Sequence, residues 1–228
     1  ENWLKDGCEP VYGFNTCVGL LKSEFVTFDK LKDFQKLYIK SHSVGVGEPY
    51  DIDVVRAAIL IRVNSFAKGY SGIRINLVEK LIEMLNKEIT PVVPEIGSLG
   101  ASGDLAPLSH VGAVLTGEPE AKFFYNNKIY LIQDVSTENQ AYKIGSTDYS
   151  RVKELKFKSS TSDEMITFET LELEAKEAMA ITNGATFVAA VACIFSYDAE
   201  NFIKLCDLTA SMSLEAMNSE KDAFHEDL

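Results

Sequence analysis

Residues 97–110 read Gly-Ser-Leu-Gly-Ala-Ser-Gly-Asp-Leu-Ala-Pro-Leu-Ser-His. Gly97, Gly100 and Gly103 recur at every third position. Glycine carries no Cβ penalty at positive φ, so the backbone can fold back tightly here. Within this loop Ala101-Ser102-Gly103 sets one hydroxyl residue between two very small neighbours. Read only as loop chemistry, the stretch is a glycine-rich surface turn leading into a helix. A phosphate-binding loop is set aside, because the spacing is Gly-x-x-Gly-x-x-Gly and no Gly-Lys-Ser/Thr follows.

Other residues could contribute chemistry, and each has a plainer reading beside it. Tyr12 lies in an apolar loop punctuated by Pro10, Gly13 and Gly19; a tyrosine there is ordinarily a packed ring. His42 follows Ser41 at the end of an apolar-periodic segment, and a lone histidine usually has no catalytic role. Asn183-Gly184 has the composition of a helix C-cap or turn. Arg62 and Arg74 could act on a substrate, or tie helices together through carboxylates.

The fourteen residues from Gly97 to His110 resemble the signature of the aromatic amino acid ammonia-lyases, the family of histidine and phenylalanine ammonia-lyases. That resemblance implies a specific fate for the tripeptide. Ala101-Ser102-Gly103 would close with loss of one water, and Ser102 would lose its hydroxyl as a second. The product is a methylidene-imidazolone, an electrophile that no ordinary side chain supplies and that needs no external cofactor. Tyr12-Gly13 with Thr16 and Gly19 is similar to the family's Tyr-Gly-x-x-Thr-Gly-x-Gly loop, whose tyrosine removes the substrate's β-proton. Such a base needs a pKa well below the free value of about 10. Ser41-His42 with Gly45 and Gly47 resembles the family's substrate-facing Ser-His-x-x-Gly-x-Gly stretch, in its histidine-lyase form. An imidazole there can hydrogen-bond a substrate imidazole where leucine cannot. Asn183 matches the asparagine beside the ring.

The resemblance implies elimination of ammonia from L-histidine to give urocanate. Within the same chemistry, a phenylalanine or tyrosine lyase or an aminomutase is the alternative. A truncated, non-catalytic helical binding protein is the alternative from another class. Cys17, Val18, Ala178 and Ala185-Thr186 depart from the family's pattern. The family's chains are longer. Nothing in residues 187–228 matches its later Gln-Asp-x-Tyr-Ser-x-Arg segment, so residues 1–228 read as one region equivalent to the N-terminal part, without the C-terminal helical half. A homotetramer is implied for a full-length chain.

These groups must be held by mostly helical elements, and the fold class expected is mainly α, with a loop-borne site and one short β-hairpin. Phe28, Leu31, Phe34, Leu37 and Tyr38 mark a helix over 27–40. Asp51 precedes a second helix that stops at Gly69, and a third spans about 76–87. Pro91 and Pro94 lead extended chain to the glycine loop. A fourth helix over 105–116 ends at Gly117, with Asp104 near its positive end. Asn126-Asn127 between two β-rich runs predicts a hairpin over 123–131. Residues 134–165 are polar and poorly periodic, which reads as a long loop, and the resemblance implies that it is an insertion, the family's link here being usually shorter. From 169 to the end the pattern is helical.

Composition bounds the rest. The 228 residues are 46% hydrophobic with a net charge of -12, which suits a folded soluble protein and argues against nucleic-acid or anionic-membrane partners. The cysteines have no zinc-knuckle or C-x-x-C spacing, and Cys193 and Cys206 fall in apolar helical pattern, so buried thiols in a reducing, cytoplasmic setting are expected. Three scattered histidines suggest no metal site. The apolar runs read as too short or too charged to span a bilayer.

Overall fold

The computed structural model describes residues 9–136, 151–159 and 164–225. The chain divides into two compact units, Glu1–Ala190 and Val191–Leu228. Among the described residues the elements are mainly α-helical, as the sequence predicts, but short strands pair in three places, two more than the single hairpin expected.

The first unit is built around α4 (Leu105–Thr116), of whose twelve residues ten are buried. A helix apolar on all sides is an interior helix. It packs against α1 (Leu31–His42) and α5 (Glu177–Thr182). Gly112 permits the approach to α1, since a Cβ there would stand 2.7 Å from Ile39 Cδ1. Gly117 ends α4 at φ 76, and the bonds Glu118 N–H to Ala113 O and Gly117 N–H to Val114 O close a Schellman motif. α2 (Ile52–Ala67) and α3 (Ile75–Asn86) pack together, burying Val55, Ile59 and Phe66 against a core that includes Leu77, Leu81 and Met84.

The buried stripe of α1 is displaced from the predicted one. Phe28 and Leu37 are exposed, while Gln35 and Ile39 are buried with Leu31 and Tyr38. The reason is polar: Gln35 Oε1 accepts the Ala178 N–H at 3.0 Å, one of the free donors in the first turn of α5.

Strands β1 (Val46–Pro49) and β3 (Pro94–Ile96) pair antiparallel, joining the chain after α1 to the chain before the glycine loop. β2 (Thr90–Pro91), β4 (Lys122–Tyr125) and β5 (Lys128–Leu131) form a second sheet. Its β4–β5 hairpin turns at Asn126 and Asn127, both at positive φ, as a tight I′-type turn requires.

Residues 134–165 are not loop throughout. β6 (Glu154–Lys158) lies within them and pairs with β7 (Met165–Glu169), placing Leu155 opposite Phe168, both buried. This hairpin docks through Phe157, whose ring meets Phe123, Tyr125 and Tyr130 at centroid distances of 5.0–5.4 Å. Much of the rest of the expected insertion lies outside the described residues. The helical pattern from 169 is also interrupted: β7 ends at Glu169, α5 begins only at Glu177, and Asn183-Gly184 separates it from α6 (Thr186–Ala216).

In the second unit the rest of α6 and a 3-10 turn over Lys221–Phe224 are described. Phe195, Phe202, Ile203, Leu208 and Met212 are exposed there. Cys193 and Cys206 are exposed too, contrary to the expectation of buried thiols, because α6 buries no residue after Ala190. α6 is also long and apolar enough to cross a membrane by length and composition, a test that core helices of soluble proteins pass as well.

Candidate functional site

The glycine loop is a closed turn pressed against a wall. Gly103 N–H donates to Gly100 O at 3.3 Å, so residues 100–103 form one β-turn. Ser102 occupies its third position at φ 62, the sign that a type II turn demands there. Gly103 follows at φ 105. Behind it lies Gly184: a Cβ on Gly103 would stand 2.4–2.5 Å from the nitrogen, carbonyl carbon and oxygen of Gly184. Only glycine fits. Asp104 N–H donates to Gly184 O at 2.9 Å and continues the contact as a parallel bridge. These features fit a cyclising tripeptide: the third residue lacks a side chain, the turn is already closed, and the backbone behind it leaves no room to relax. Ala101 and Ser102 are exposed at the tip.

The wall is anchored from both ends. Asn183 caps the C-terminus of α5, and its Nδ2 donates to Met179 O at 2.9 Å. Gly184 then leads into α6, whose first turn is capped by a distant residue. Asp104 Oδ2 accepts the N–H of Phe187 at 2.9 Å and of Val188 at 3.2 Å. These are the second and third residues of α6, where a capping oxygen belongs, and the negative charge suits the helix dipole. Asp104 therefore serves α6, not the helix that it begins, whose first turn receives no side-chain bond from it. Ser98 Oγ donates to the other carboxylate oxygen at 3.1 Å.

Arg62 lies under this crossing. It occupies a core position of α2, is only 8% exposed, and donates from Nη2 to Asn183 O at 2.7 Å. Burial lowers its pKa to about 10, with the nearby Asp104 charge acting the other way. Arg74 meets the carboxylate expected of a structural arginine, Glu177 at the start of α5.

His42 ends α1 and faces the loop across a cavity of about 230 Å³, lined by Ser41, His42 and Val44 on one side and by Ala101, Gly103 and Leu105 on the other. Its ring stacks on Tyr38 with centroids 4.5 Å apart. Its Nδ1 lies 2.8 Å from Tyr38 O, a carbonyl that can only accept, so the neutral ring carries its proton on Nδ1. Nε2 is then the acceptor. The segment beyond His42 is fixed by His110, the last residue of the signature. Its Nε2 accepts the Gly45 N–H at 3.1 Å, and burial lowers its pKa.

Tyr12 stands apart from that cavity. It is 54% exposed, and its hydroxyl accepts the Gly19 N–H of its own loop at 3.2 Å. Its loop is nonetheless mounted on α5: a Cβ on Gly13 would stand 2.4 Å from Met179 Cε, and Lys176 Nζ sits 4.9 Å from the Phe14 ring centroid. Ala101, Gly103 and His42 thus share one cavity, Asn183 adjoins the wall, and Tyr12 is outside the cavity lining, its loop resting on α5 through Gly13. The functions of Asp104 and His110 carry no local sequence signal beyond membership of the loop motif, because their partners are 83 and 65 positions away. Among the described residues no cluster of His, Cys, Asp or Glu could hold a metal ion.

A model of the aromatic amino acid lyases matches residues 1–228. A histidine ammonia-lyase of Caldanaerobacter subterraneus subsp. tengcongensis is 38% identical over 224 residues, which are 98% of this chain and 38% of that protein. One from Streptococcus pyogenes serotype M1 is 37% identical over 218 residues, 96% of this chain and 37% of that protein. Among solved structures, histidine ammonia-lyase from Trypanosoma cruzi superposes with a TM-score of 0.73 at 29% identity, over 96% of this chain and 37% of that one. Tyrosine aminomutase from Streptomyces globisporus gives 0.61 at 33% identity, over 80% of this chain and 28% of that one. The chain spans well under half the length of the curated relatives it matches. Since the family match runs through every segment that builds the loop, its wall and the facing histidine, the chain belongs to the aromatic amino acid lyase family.

Proposed function

We propose that this chain is the ring-forming N-terminal part of an ammonia-lyase that converts L-histidine to urocanate. The observation that carries the reading is the closed 100–103 turn with Gly103 against Gly184 and His42 across the same cavity. Ala101, Ser102 and Gly103 are the source of a methylidene-imidazolone, which, once formed, supplies an electrophilic carbon for the substrate. Asn183 and Gly184 hold that tripeptide from behind. His42 Nε2 accepts the N–H of the substrate imidazole, with Tyr38 O and Ser41 holding the ring's orientation. Tyr12 Oη takes the β-proton.

The exposed tip at Ala101 and Ser102 must be covered for such chemistry to exclude water. Assembly into a homotetramer is the cover we propose, in a cytoplasmic enzyme. Histidine as substrate is supported by the names of the curated relatives and by Ser41-His42. The likeness to a tyrosine aminomutase favours the alternative of a β-amino acid product.

The test is the intact protein and its Ser102→Ala variant. The native protein should be lighter than its gene predicts by two waters, show a near-ultraviolet band, and release urocanate from L-histidine. The variant should lack all three. A band that persists in Ser102→Ala refutes the ring. Cinnamate, coumarate or a β-amino acid as product reassigns the substrate.

A further inference from the structure

We propose that Arg62 is a positioning residue for closure of the Ala101-Ser102-Gly103 ring, acting through the Asn183–Gly184 peptide; the inference rests on the ring-forming reading above. Arg62, Gly184 and Gly103 leave one another no room for a further side chain. The guanidinium fills the space that a Gly184 side chain would need: a Cβ on Gly184 would stand 2.7 Å from Arg62 Nη2, 2.9 Å from Nη1 and 3.1 Å from Cζ. The Gly184 backbone in turn fills the space that a Gly103 side chain would need, 2.4–2.5 Å from such a Cβ. Arg62 Nη2 donates to Asn183 O at 2.7 Å, and Asp104 N–H donates to Gly184 O at 2.9 Å, so both carbonyls flanking Gly184 are tethered. The wall cannot recede from Gly103 while these bonds hold.

Stability alone does not account for an arginine at this place. It occupies a core position of α2 between Ile59 and Phe66, where an apolar side chain would pack without desolvating a charge. Its Nε is buried and, among the described residues, has no hydrogen-bond partner. A buried donor left unpaired is a cost. The group is retained at that cost where its other end grips the peptide behind the reactive turn.

Ring closure needs that grip. The Gly103 nitrogen bonds to the Ala101 carbonyl carbon, and the Ala101 oxygen leaves as water with the protons of the Gly103 and Ser102 nitrogens. Ser102 Oγ then leaves as a second water with the Ser102 Cα proton. No electrons are exchanged with any other reagent. The nitrogen must move toward the carbonyl carbon against repulsion, so a wall that yields lets the turn relax away.

The test is maturation of the intact protein after cell-free synthesis, read as the mass of a peptide spanning the loop over time. Arg62→Met keeps the bulk and removes the donors; Arg62→Lys keeps the charge and loses the planar fork. In Arg62→Met the two-water loss should be about tenfold slower than in the native protein, as expected for one charge-assisted bond missing from the closing geometry. Far-ultraviolet dichroism and Tm should be native or higher. Arg62→Lys should lie between the two, and it decides the matter should Arg62→Met not fold. Native maturation rates in whichever variant folds overturn the proposal while the ring-forming reading stands. A native protein that never loses the two waters overturns both.

Discussion

Arg74 grips Glu177 with two parallel bonds, Nη2 to Oε2 at 2.7 Å and Nε to Oε1 at 2.9 Å. The Glu177 carboxylate also accepts the main-chain N–H of Glu174 and of Arg74. Its side chain is 2% exposed and that of Arg74 39%. Four bonds thus fix the start of α5, the short helix whose other end presents Asn183. Glu177→Gln should destabilise the protein by about 2 kcal/mol, below the range for a fully buried pair because Arg74 is partly in water. Urea unfolding of native and variant protein measures it, and an unchanged midpoint would show the pair to be neutral.

Gly103→Ala sets a methyl group against the backbone of Gly184 at a φ that alanine resists. The variant should remain uncyclised and lose about 1–3 kcal/mol of stability. The paired readouts are the mass of the loop peptide and the thermal midpoint. A variant that cyclises normally would mean that the wall gives way more easily than its contacts imply.

His42→Leu removes the Nε2 acceptor of a residue that lines the cavity but keeps an apolar side chain of moderate size. The KM for L-histidine should rise about tenfold, the cost of one neutral hydrogen bond. Ring content, measured by mass, should not change, because His42 has no part in forming the ring. Steady-state kinetics on the intact enzyme check the first expectation; an unaltered KM would remove His42 from substrate binding.

His110 makes stability depend on pH near neutrality. Burial lowers its pKa below the usual 6.5. The unfolded chain therefore takes up the proton first, so stability is full above pH 6.5 and falls as pH drops toward the folded value. His110→Gln should flatten that decline in urea midpoints measured from neutral to mildly acid pH.

Glu118 acts with the opposite sign. Burial raises its pKa above the usual 4.5, partly offset by Lys40 and Lys36. The folded state holds the proton more tightly, so the group's contribution is best below pH 4.5 and declines as pH rises through the folded value. Glu118→Gln should raise Tm at neutral pH and lose that advantage in acid.

The tight 100–103 turn and the histidine that shares its cavity could be picked out because each sits in a contiguous motif. Helices α2, α3 and α4 were legible because their apolar spacing and their stops at Gly69 and Gly117 are local properties. What escaped was non-local. β6 alternates Leu155 and Phe157 within a charged stretch, and its partner Phe168 is 13 positions on. Gln35 replaces an apolar residue in the stripe of α1 because it serves a helix 143 positions away. Exposure of Cys193 and Cys206 follows from α6 burying no residue after Ala190, and an apolar helix does not announce in its spacing what covers it.

The bonds from Asp104 to Phe187 and Val188 also set an order in time. While a growing chain still holds residue 184 inside the ribosome, the turn at Gly103 has nothing behind it, and the Asp104 carboxylate lacks both of those amides. On the ring-forming reading proposed above, Ala101-Ser102-Gly103 must wait, translated but slack, until more than eighty further residues have been made. Maturation would thereby be withheld from prematurely terminated chains, which would emerge with an inert serine instead of a stray electrophile.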